Sequence, residues 1–266
     1  MTKKSNINDL LEIMSRLRDK ENGCPWDVEQ DFKSIAPYTI EEAYEVAEAI
    51  DNDHMENLRD ELGDLLFQTV FHAQMASELG HFDFNDVVTS VANKMVSRHP
   101  HVFGDAEITD AAAQTEAWED HKAAERASKP QSVPTALYDV PLGLPALLRA
   151  LKLQKRAARV GFDWDKISDV ISKMHEEIAE TAEALAKKGK NSPEVEEEFG
   201  DLMFVMANLA RHLDINPEEA LRQANVKFER RFKAVEANLL AEGTSIEDAD
   251  LDKMEQQWQK VKKSEI

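Results

Sequence analysis

The chain carries one set of acidic motifs twice, and this repeat limits its possible folds more than any other feature. The run EEAYE at residues 41–45 matches EEIAE at 176–180. Further along, ELGD at 61–64 matches EFGD at 198–201. The offset between matched positions stays between about 132 and 140 residues, as small loop insertions would produce. The chain is therefore predicted to be an internal duplication of one structural unit.

Each copy is predicted to be helical. Apolar residues recur at helical spacing, and no segment shows the alternation typical of a strand. Proline does not continue a helix, and four of the nine prolines lie close together, at Pro130, Pro134, Pro141 and Pro145. We predict an all-α protein built from tandem duplicated helical-bundle domains. The predicted parts are a first domain at 1–126, a proline-rich linker at 127–145 and a second domain at 146–266.

The composition restricts the partners. With 32 Lys and Arg against 52 Asp and Glu, the formal net charge is −20, so we expect no binding to nucleic acid. Cys24 is the only cysteine, which excludes a disulfide framework and favours a reducing compartment. No apolar run is long enough to span a bilayer, and no signal peptide is recognisable. We expect a cytoplasmic protein with no membrane contact.

The acidic motifs predict two clusters of carboxylates. Glu42 and Glu45 are three residues apart and share one helix face, as do Glu61 and Asp64 on the next helix. A short turn would make the two helices antiparallel neighbours, so the four side chains would converge. A single EExxE motif is more often a solvated helix face. The repetition at Glu177, Glu180, Glu198 and Asp201 favours a functional cluster.

Asp64 and Asp201 each begin a run that is apolar almost all round, which predicts a buried helix. A buried carboxylate needs a partner, and neither apolar run contains Lys or Arg. A divalent metal is the simplest partner. Because all the ligands are oxygen atoms, Mg²⁺ is expected, and Mn²⁺ can substitute for it. Such a metal typically recruits the phosphates of a substrate.

Candidate groups for holding phosphates follow the second acidic motif. Lys227, Arg230 and Arg231 lie in the run KFERRF, which otherwise fits a solvated amphipathic helix. Trp258 either stacks on a base or belongs to the core. The first copy has Pro100 after Arg98 and His99, where the second continues its basic run, and proline disfavours an uninterrupted helix. We expect phosphate contacts in the second copy.

The paired EExxE and ExxD motifs, the element Cys24-Pro25-Trp26-Asp27 and the tandem order resemble the MazG family of nucleoside triphosphate pyrophosphohydrolases. The resemblance runs from about Leu10 to the end of the chain. It implies dimerising helical bundles with Mg²⁺ in the acidic groove. The implied reaction hydrolyses a nucleoside triphosphate, ATP included, to a monophosphate and pyrophosphate, with broad tolerance of base and sugar.

The resemblance also implies roles for particular residues, mainly in the second copy. Glu176 and Glu177 would be catalytic carboxylates, and Glu197 would lie beside the substrate with the basic residues and Trp258. The implied metal ligands are Glu177, Glu180, Glu198 and Asp201, with a possible second metal site at Glu42, Glu45, Glu61 and Asp64.

Two alternatives stay open at this point. One is a hydrolase of narrower specificity that resembles a dUTPase or dCTPase or acts on a modified nucleotide. The other is a non-catalytic acidic helical protein that binds a partner. Other nucleotide enzymes fit poorly, because the chain lacks the G-x-x-x-x-G-K-[ST] motif and has only nine glycines. Helices that are apolar all round need further cover, so we expect a homodimer unless the two copies cover each other.

Overall fold

A computed structural model describes residues 5–105, 110, 113–115, 117–118, 121 and 135–265. Every regular element in these residues is a helix, which confirms the predicted fold class. The chain divides into two compact units, Met1–Ala123 and Ala124–Ile266. Residues 127–134 of the predicted linker lie outside the described residues, and 135–145 form turns and loop. No helix in the described residues is long and apolar enough to cross a membrane.

The N-terminal unit is built around a pair of long helices, α3 and α4, with α1 packed against α4. Its helices in chain order are α1 (Ile7–Leu17), α2 (Pro25–Glu29), α3 (Phe32–Asp51), α4 (Met55–Glu78), α5 (Phe84–Arg98) and α6 (Pro100–Phe103).

The C-terminal unit repeats this long pair as α8 and α9, with α7 packed against α9. A further pair, α10 and α11, pack on each other, and α10 also contacts α7 and α9. The helices of this unit are α7 (Ala146–Ala158), α8 (Ile167–Lys188), α9 (Pro193–His212), α10 (Pro217–Ala241) and α11 (Leu251–Ser264).

Short connections with strong stop and start signals form both hairpins. Helix α8 ends at Gly189, whose φ of 79° suits a residue without a side chain. Ser192 then caps α9 by accepting from the backbone N–H of Val195, and Pro193 occupies the first helical position. In the other hairpin, His54 caps α4 through its ring nitrogen, which accepts from the backbone of Asn57. In each unit, the short turn between the two long helices places the acidic pair of one helix opposite the acidic pair of the other.

The two units have different cores. In the N-terminal unit, Phe71 and Met14 are almost fully buried and pack with Ile35, Val70 and Met75. In the C-terminal unit, the buried cluster lies between α10 and α11, where Val235 and Leu239 meet Val261. The long pair α8 and α9 thus contributes less to a closed apolar core than α3 and α4 do.

Candidate functional site

Three of the four predicted metal ligands come together in the C-terminal unit. Glu177 and Glu180 project from α8 and Glu198 from α9, and one carboxylate oxygen from each lies within 4.8 Å of the others. Glu177 is buried at 4% exposure, whereas the side chain of Glu180 is 44% exposed. We call these three residues the C-terminal cluster. It presents only oxygen ligands, the chemistry that a hard divalent cation requires.

Asp201 lies beside the C-terminal cluster but outside that close group. Its side chain follows Glu198 by one turn of α9 and is exposed. Partial burial, followed by repulsion from Glu180, Glu177 and Asp201, raises the pKa of Glu198. Exposed Glu197 adds a smaller repulsion to the same pKa. Asp201 therefore lies close enough to affect the electrostatics of Glu198.

The expected burial of Asp64 and Asp201 is wrong, since both side chains are exposed. In α4 the early part of the apolar run also remains exposed, with Leu62 at 50% and Leu66 at 41%. Only the later part, which includes Val70 and Phe71, is buried. An apolar run is buried only where other elements cover every face of its helix. In the part of the chain that the structure describes, the first turns of this run in α4 are not covered on every face.

Sequence reasoning missed Lys173, which lies one turn before the second acidic motif on α8. Its Nζ is 2.6 Å from Glu177 Oε1 and 2.6 Å from Glu176 Oε1, and 4.0 Å from Glu180 Oε2. Hydrogen bonds to Glu176 and Glu177 raise the pKa of the Lys173 amine. The buried carboxylate of Glu177 thus has a cation from its own helix. The i, i+3 and i, i+4 spacing could have revealed this pairing.

The N-terminal unit forms a similar trio. Glu42, Glu45 and Glu61 also bring carboxylate oxygens within 4.8 Å of one another, and we call them the N-terminal cluster. Partial burial, then repulsion from Glu45 and Asp64, raises the pKa of Glu42, and burial with repulsion from Glu45 raises that of Glu61. Tyr38 stands where α8 has Lys173.

The predicted phosphate-binding residues lie on α10. Lys227 is exposed, and both arginines pair with Glu265, Arg230 at 2.8 Å and Arg231 at 2.6 Å. Trp258 packs against Phe228, with ring centroids 5.4 Å apart, and belongs to the apolar cluster of α10 and α11. Trp258 is half-buried, so its packing leaves one side accessible and its contact with a base stays a prediction.

In the first copy, the helix that corresponds to the basic part of α10 is interrupted at the proline, as predicted. Helix α5 ends at Arg98, His99 serves as its C-cap, and Pro100 begins the short helix α6. In the second copy, α10 continues through Arg230 and Arg231 without interruption. The two copies thus share their carboxylates but not the helix that carries the basic residues.

Two helix hairpins, each with a trio of converging carboxylates, define a duplicated acidic site on an all-helical scaffold. A family model described as the MazG nucleotide pyrophosphohydrolase domain matches this chain twice, at residues 30–103 and 166–236. Both matches include a hairpin with its acidic motifs. The chain belongs to the MazG family.

Known proteins resemble the chain over nearly its whole length. A nucleoside triphosphate pyrophosphohydrolase from Escherichia coli (strain K12) is 51% identical over 262 residues, which are 98% of this chain and 99% of that protein. Another, named nucleoside triphosphate pyrophosphohydrolase/pyrophosphatase MazG, from Thermotoga maritima, is 42% identical over 256 residues, 96% of this chain and 95% of that protein. A crystal structure of a mazG-related protein from Thermotoga maritima covers 44% of this chain and 99% of that chain, with 28% identity and a TM-score of 0.38.

Proposed function

We propose that the protein hydrolyses nucleoside triphosphates to monophosphate and pyrophosphate with Mg²⁺, at the C-terminal cluster and with broad specificity. The single observation that carries this proposal is the trio Glu177, Glu180 and Glu198, whose oxygens lie within 4.8 Å of one another. Relatives that span nearly the whole chain are named for this class of reaction. An enzyme that hydrolyses nucleoside triphosphates is the function that fits both.

The donor set fits Mg²⁺, with Mn²⁺ as a substitute, because it consists of hard carboxylate oxygens. Glu177, Glu180 and Glu198 would hold the metal, with Asp201 one turn further along α9. When bound there, such a metal would supply a coordinated water of lowered pKa and positive charge to offset the phosphates. Lys173 compensates the charge of Glu177 through Oε1, so this ammonium group and a bound metal would share the same carboxylate.

The remaining groups have roles that follow from their charge. Glu176 is largely exposed beside the trio, so its carboxylate can accept the proton of the water that attacks the α-phosphorus. Arg230 and Arg231 would bind the phosphates by exchanging the carboxylate of Glu265 for phosphate oxygens, which an arginine can hold through two N–H groups at once. Exposed Lys227 adds positive charge on the same helix.

A homodimer is part of this proposal. Large apolar side chains stay exposed on the hairpin helices, including Leu62 at 50%, Phe199 at 55% and Met206 at 47%. Exposed apolar area of this kind is typical of surfaces that meet a partner. A single cysteine agrees with a cytoplasmic location, where disulfides are rare.

³¹P NMR of the protein with Mg²⁺ and ATP, GTP, CTP and UTP tests the proposed reaction. We expect monophosphate and pyrophosphate from each nucleotide, and none in a matched sample with EDTA. Formation of diphosphate and orthophosphate would contradict attack at the α-phosphorus. Absence of turnover with all four would contradict the proposed activity and its broad specificity.

A further inference from the structure

One carboxylate already occupies the two arginines that the proposed function assigns to the phosphates. Glu265 is the C-cap residue of α11, and its side chain contacts α10. Its Oε1 accepts a hydrogen bond from Arg230 Nη2 at 2.8 Å. Its Oε2 accepts two from Arg231, one from Nε at 2.9 Å and one from Nη2 at 2.6 Å. Both oxygens of the carboxylate therefore bind positively charged donors.

This contact resembles the way in which arginines hold a phosphate group. A phosphate presents several oxygens on one centre, and guanidinium groups bind such oxygens through adjacent N–H donors. Glu265 presents two oxygens in a similar way but carries one negative charge. Hydrogen bonds from Arg231 contribute most to holding the pKa of Glu265 below its usual value, so this carboxylate stays charged at neutral pH. The side chain is thus an internal anion at the proposed phosphate site.

This part of α10 carries more positive charge than Glu265 neutralises. Lys227 lies one turn before Arg231 and is exposed, and among the residues that the structure describes no acidic side chain pairs with it. Glu229, the acidic residue of the same segment, lies 3.8 Å from Lys233. Lys227 and the two arginines are therefore only partly compensated by one carboxylate. In a chain with a net charge of −20, these cations favour an anion of higher charge.

The arginine contact of Glu265 is not required to hold Arg231 in place. The guanidinium carbon of Arg231 lies 5.9 Å from the centre of the Trp258 ring, within the range of a cation–π interaction. An acidic side chain is also unfavourable at the C-terminal end of α11, because that end of a helix carries a partial negative charge. Lys262 and Lys263 in the last turn suit this end, whereas Glu265 does not. The ion pairs thus offset a local cost of this glutamate.

The ion pairs of Glu265 lie at the surface and can open. The side chain of Arg230 is 66% exposed and that of Glu265 is 26% exposed, so water screens their attraction. Exposed ion pairs of this kind contribute little to stability. A triphosphate brings more negative charge to the same donors and can displace the carboxylate. Until it does so, the fraction of molecules with the contact closed lowers the apparent affinity for phosphates.

Building on the proposed function, we propose that Glu265 is an autoinhibitory group that competes with the substrate phosphates for Arg230 and Arg231. At low nucleotide concentration the carboxylate keeps both arginines occupied. Phosphates of the substrate displace it, and the Glu265 side chain then leaves α10. The contact thus raises the nucleotide concentration that the enzyme needs, while the carboxylate itself takes no part in the hydrolysis.

Steady-state kinetics with ATP and Mg²⁺ test this competition in two variants, Glu265→Gln and Glu265→Ala. Both remove the competing charge, so we expect a KM about threefold lower than that of the wild type and a kcat/KM about threefold higher. Glu255→Gln is the matched control with an unchanged KM, because Glu255 lies on the same helix and accepts a hydrogen bond from Gln259 at 2.6 Å. Melting curves show whether each variant is folded, and if one is not, the other decides.

The direction of the change in KM distinguishes inhibition from support. If Glu265 held the arginines in position for the phosphates, its removal would raise KM. An unchanged or higher KM in the folded Glu265 variants would therefore overturn the proposal. An equal fall in Glu255→Gln would also overturn it, because the effect would then follow from net charge alone.

A binding experiment separates this proposal from the proposed function. Inorganic pyrophosphate probes the arginines without turnover, and EDTA prevents a metal from carrying it to the carboxylate clusters. At constant ionic strength, we expect pyrophosphate to shift the side-chain carboxyl ¹³C signal of Glu265, which is assigned by its loss in Glu265→Gln, and to leave that of Glu255 in place. If the protein hydrolyses no nucleotide, this titration decides. A Glu265 signal that pyrophosphate does not shift, or that shifts no more than the Glu255 signal, would refute the competition.

Discussion

The N-terminal and C-terminal clusters hold equivalent carboxylates but differ in the cation beside them. In the C-terminal cluster, Lys173 contacts Glu177 at 2.6 Å, and Glu198 has a raised pKa. In the N-terminal cluster, Tyr38 replaces the lysine, and both Glu42 and Glu61 have raised pKa values. A residue one turn before the motif therefore changes the electrostatics of an otherwise similar site.

The copies also differ in what surrounds the carboxylates. The C-terminal copy has an unbroken α10 with its arginines. The N-terminal copy has a helix break at Pro100 and a buried Phe71. Among the described residues, converging carboxylates are thus shared, whereas an unbroken helix with basic residues is found in the C-terminal copy. This comparison predicts that a metal can bind in both copies but that turnover belongs to the second.

The largest expected effect comes from removing one metal ligand. Glu180→Gln is expected to lower the rate of pyrophosphate release by about 10³-fold or more, because the metal loses a charged ligand. The matched change in the first copy, Glu45→Gln, is expected to leave the rate close to that of the wild type. A coupled assay for pyrophosphate measures both. Equal losses in the rate of pyrophosphate release in the two variants would contradict the prediction that turnover belongs to the C-terminal copy.

A smaller effect is expected from Lys173→Met, which removes the cation beside buried Glu177. Without metal, the C-terminal unit should lose about 1–2 kcal/mol of stability, since a buried carboxylate loses its partner. Mg²⁺ should restore most of this loss, because it compensates the same carboxylate. Thermal unfolding in EDTA measures the loss of stability, and thermal unfolding in Mg²⁺ measures its recovery. Tyr38→Phe is the control at the equivalent position of the first copy. If Mg²⁺ does not reduce this loss of stability, the result would contradict the view that lysine and metal compensate the same carboxylate, Glu177.

The smallest expected effect is a pH dependence in the N-terminal cluster. Repulsion from Glu45 contributes to the raised pKa values of Glu42 and Glu61. A carboxyl group whose pKa is raised on folding opposes stability above that pKa, and the penalty disappears as the pH falls through it. In EDTA, Glu45→Gln should therefore raise Tm slightly at pH 7.5, and its advantage should shrink towards pH 4.5. A series of melting curves across this range checks the sign, and a constant or growing advantage would contradict it.

The fold and the three-carboxylate clusters could be predicted because they depend on local patterns. Helical spacing places Glu177 and Glu180 on one face, and the short turn before Ser192 brings Glu198 opposite them. The duplication then predicts a second trio without further information. These features depend on residues that are close in sequence.

The remaining features depend on contacts that a local pattern does not contain. Exposure of Asp201 depends on which elements cover α9, and the pairing of Arg231 with Glu265 joins residues from two helices. Lys173 lies on α8, the helix before the second apolar run, so a prediction from the charges inside that run does not include it.

The most direct test of the account is hydrolysis of ATP in H₂¹⁸O with Mg²⁺, followed by mass spectrometry of the products. Wild-type protein and Glu42→Gln should both place the label in the monophosphate, and Glu177→Gln should give no labelled product above background. This result would assign attack at the α-phosphorus to the C-terminal cluster. Label in pyrophosphate, or loss of turnover in Glu42→Gln with activity retained in Glu177→Gln, would contradict the account.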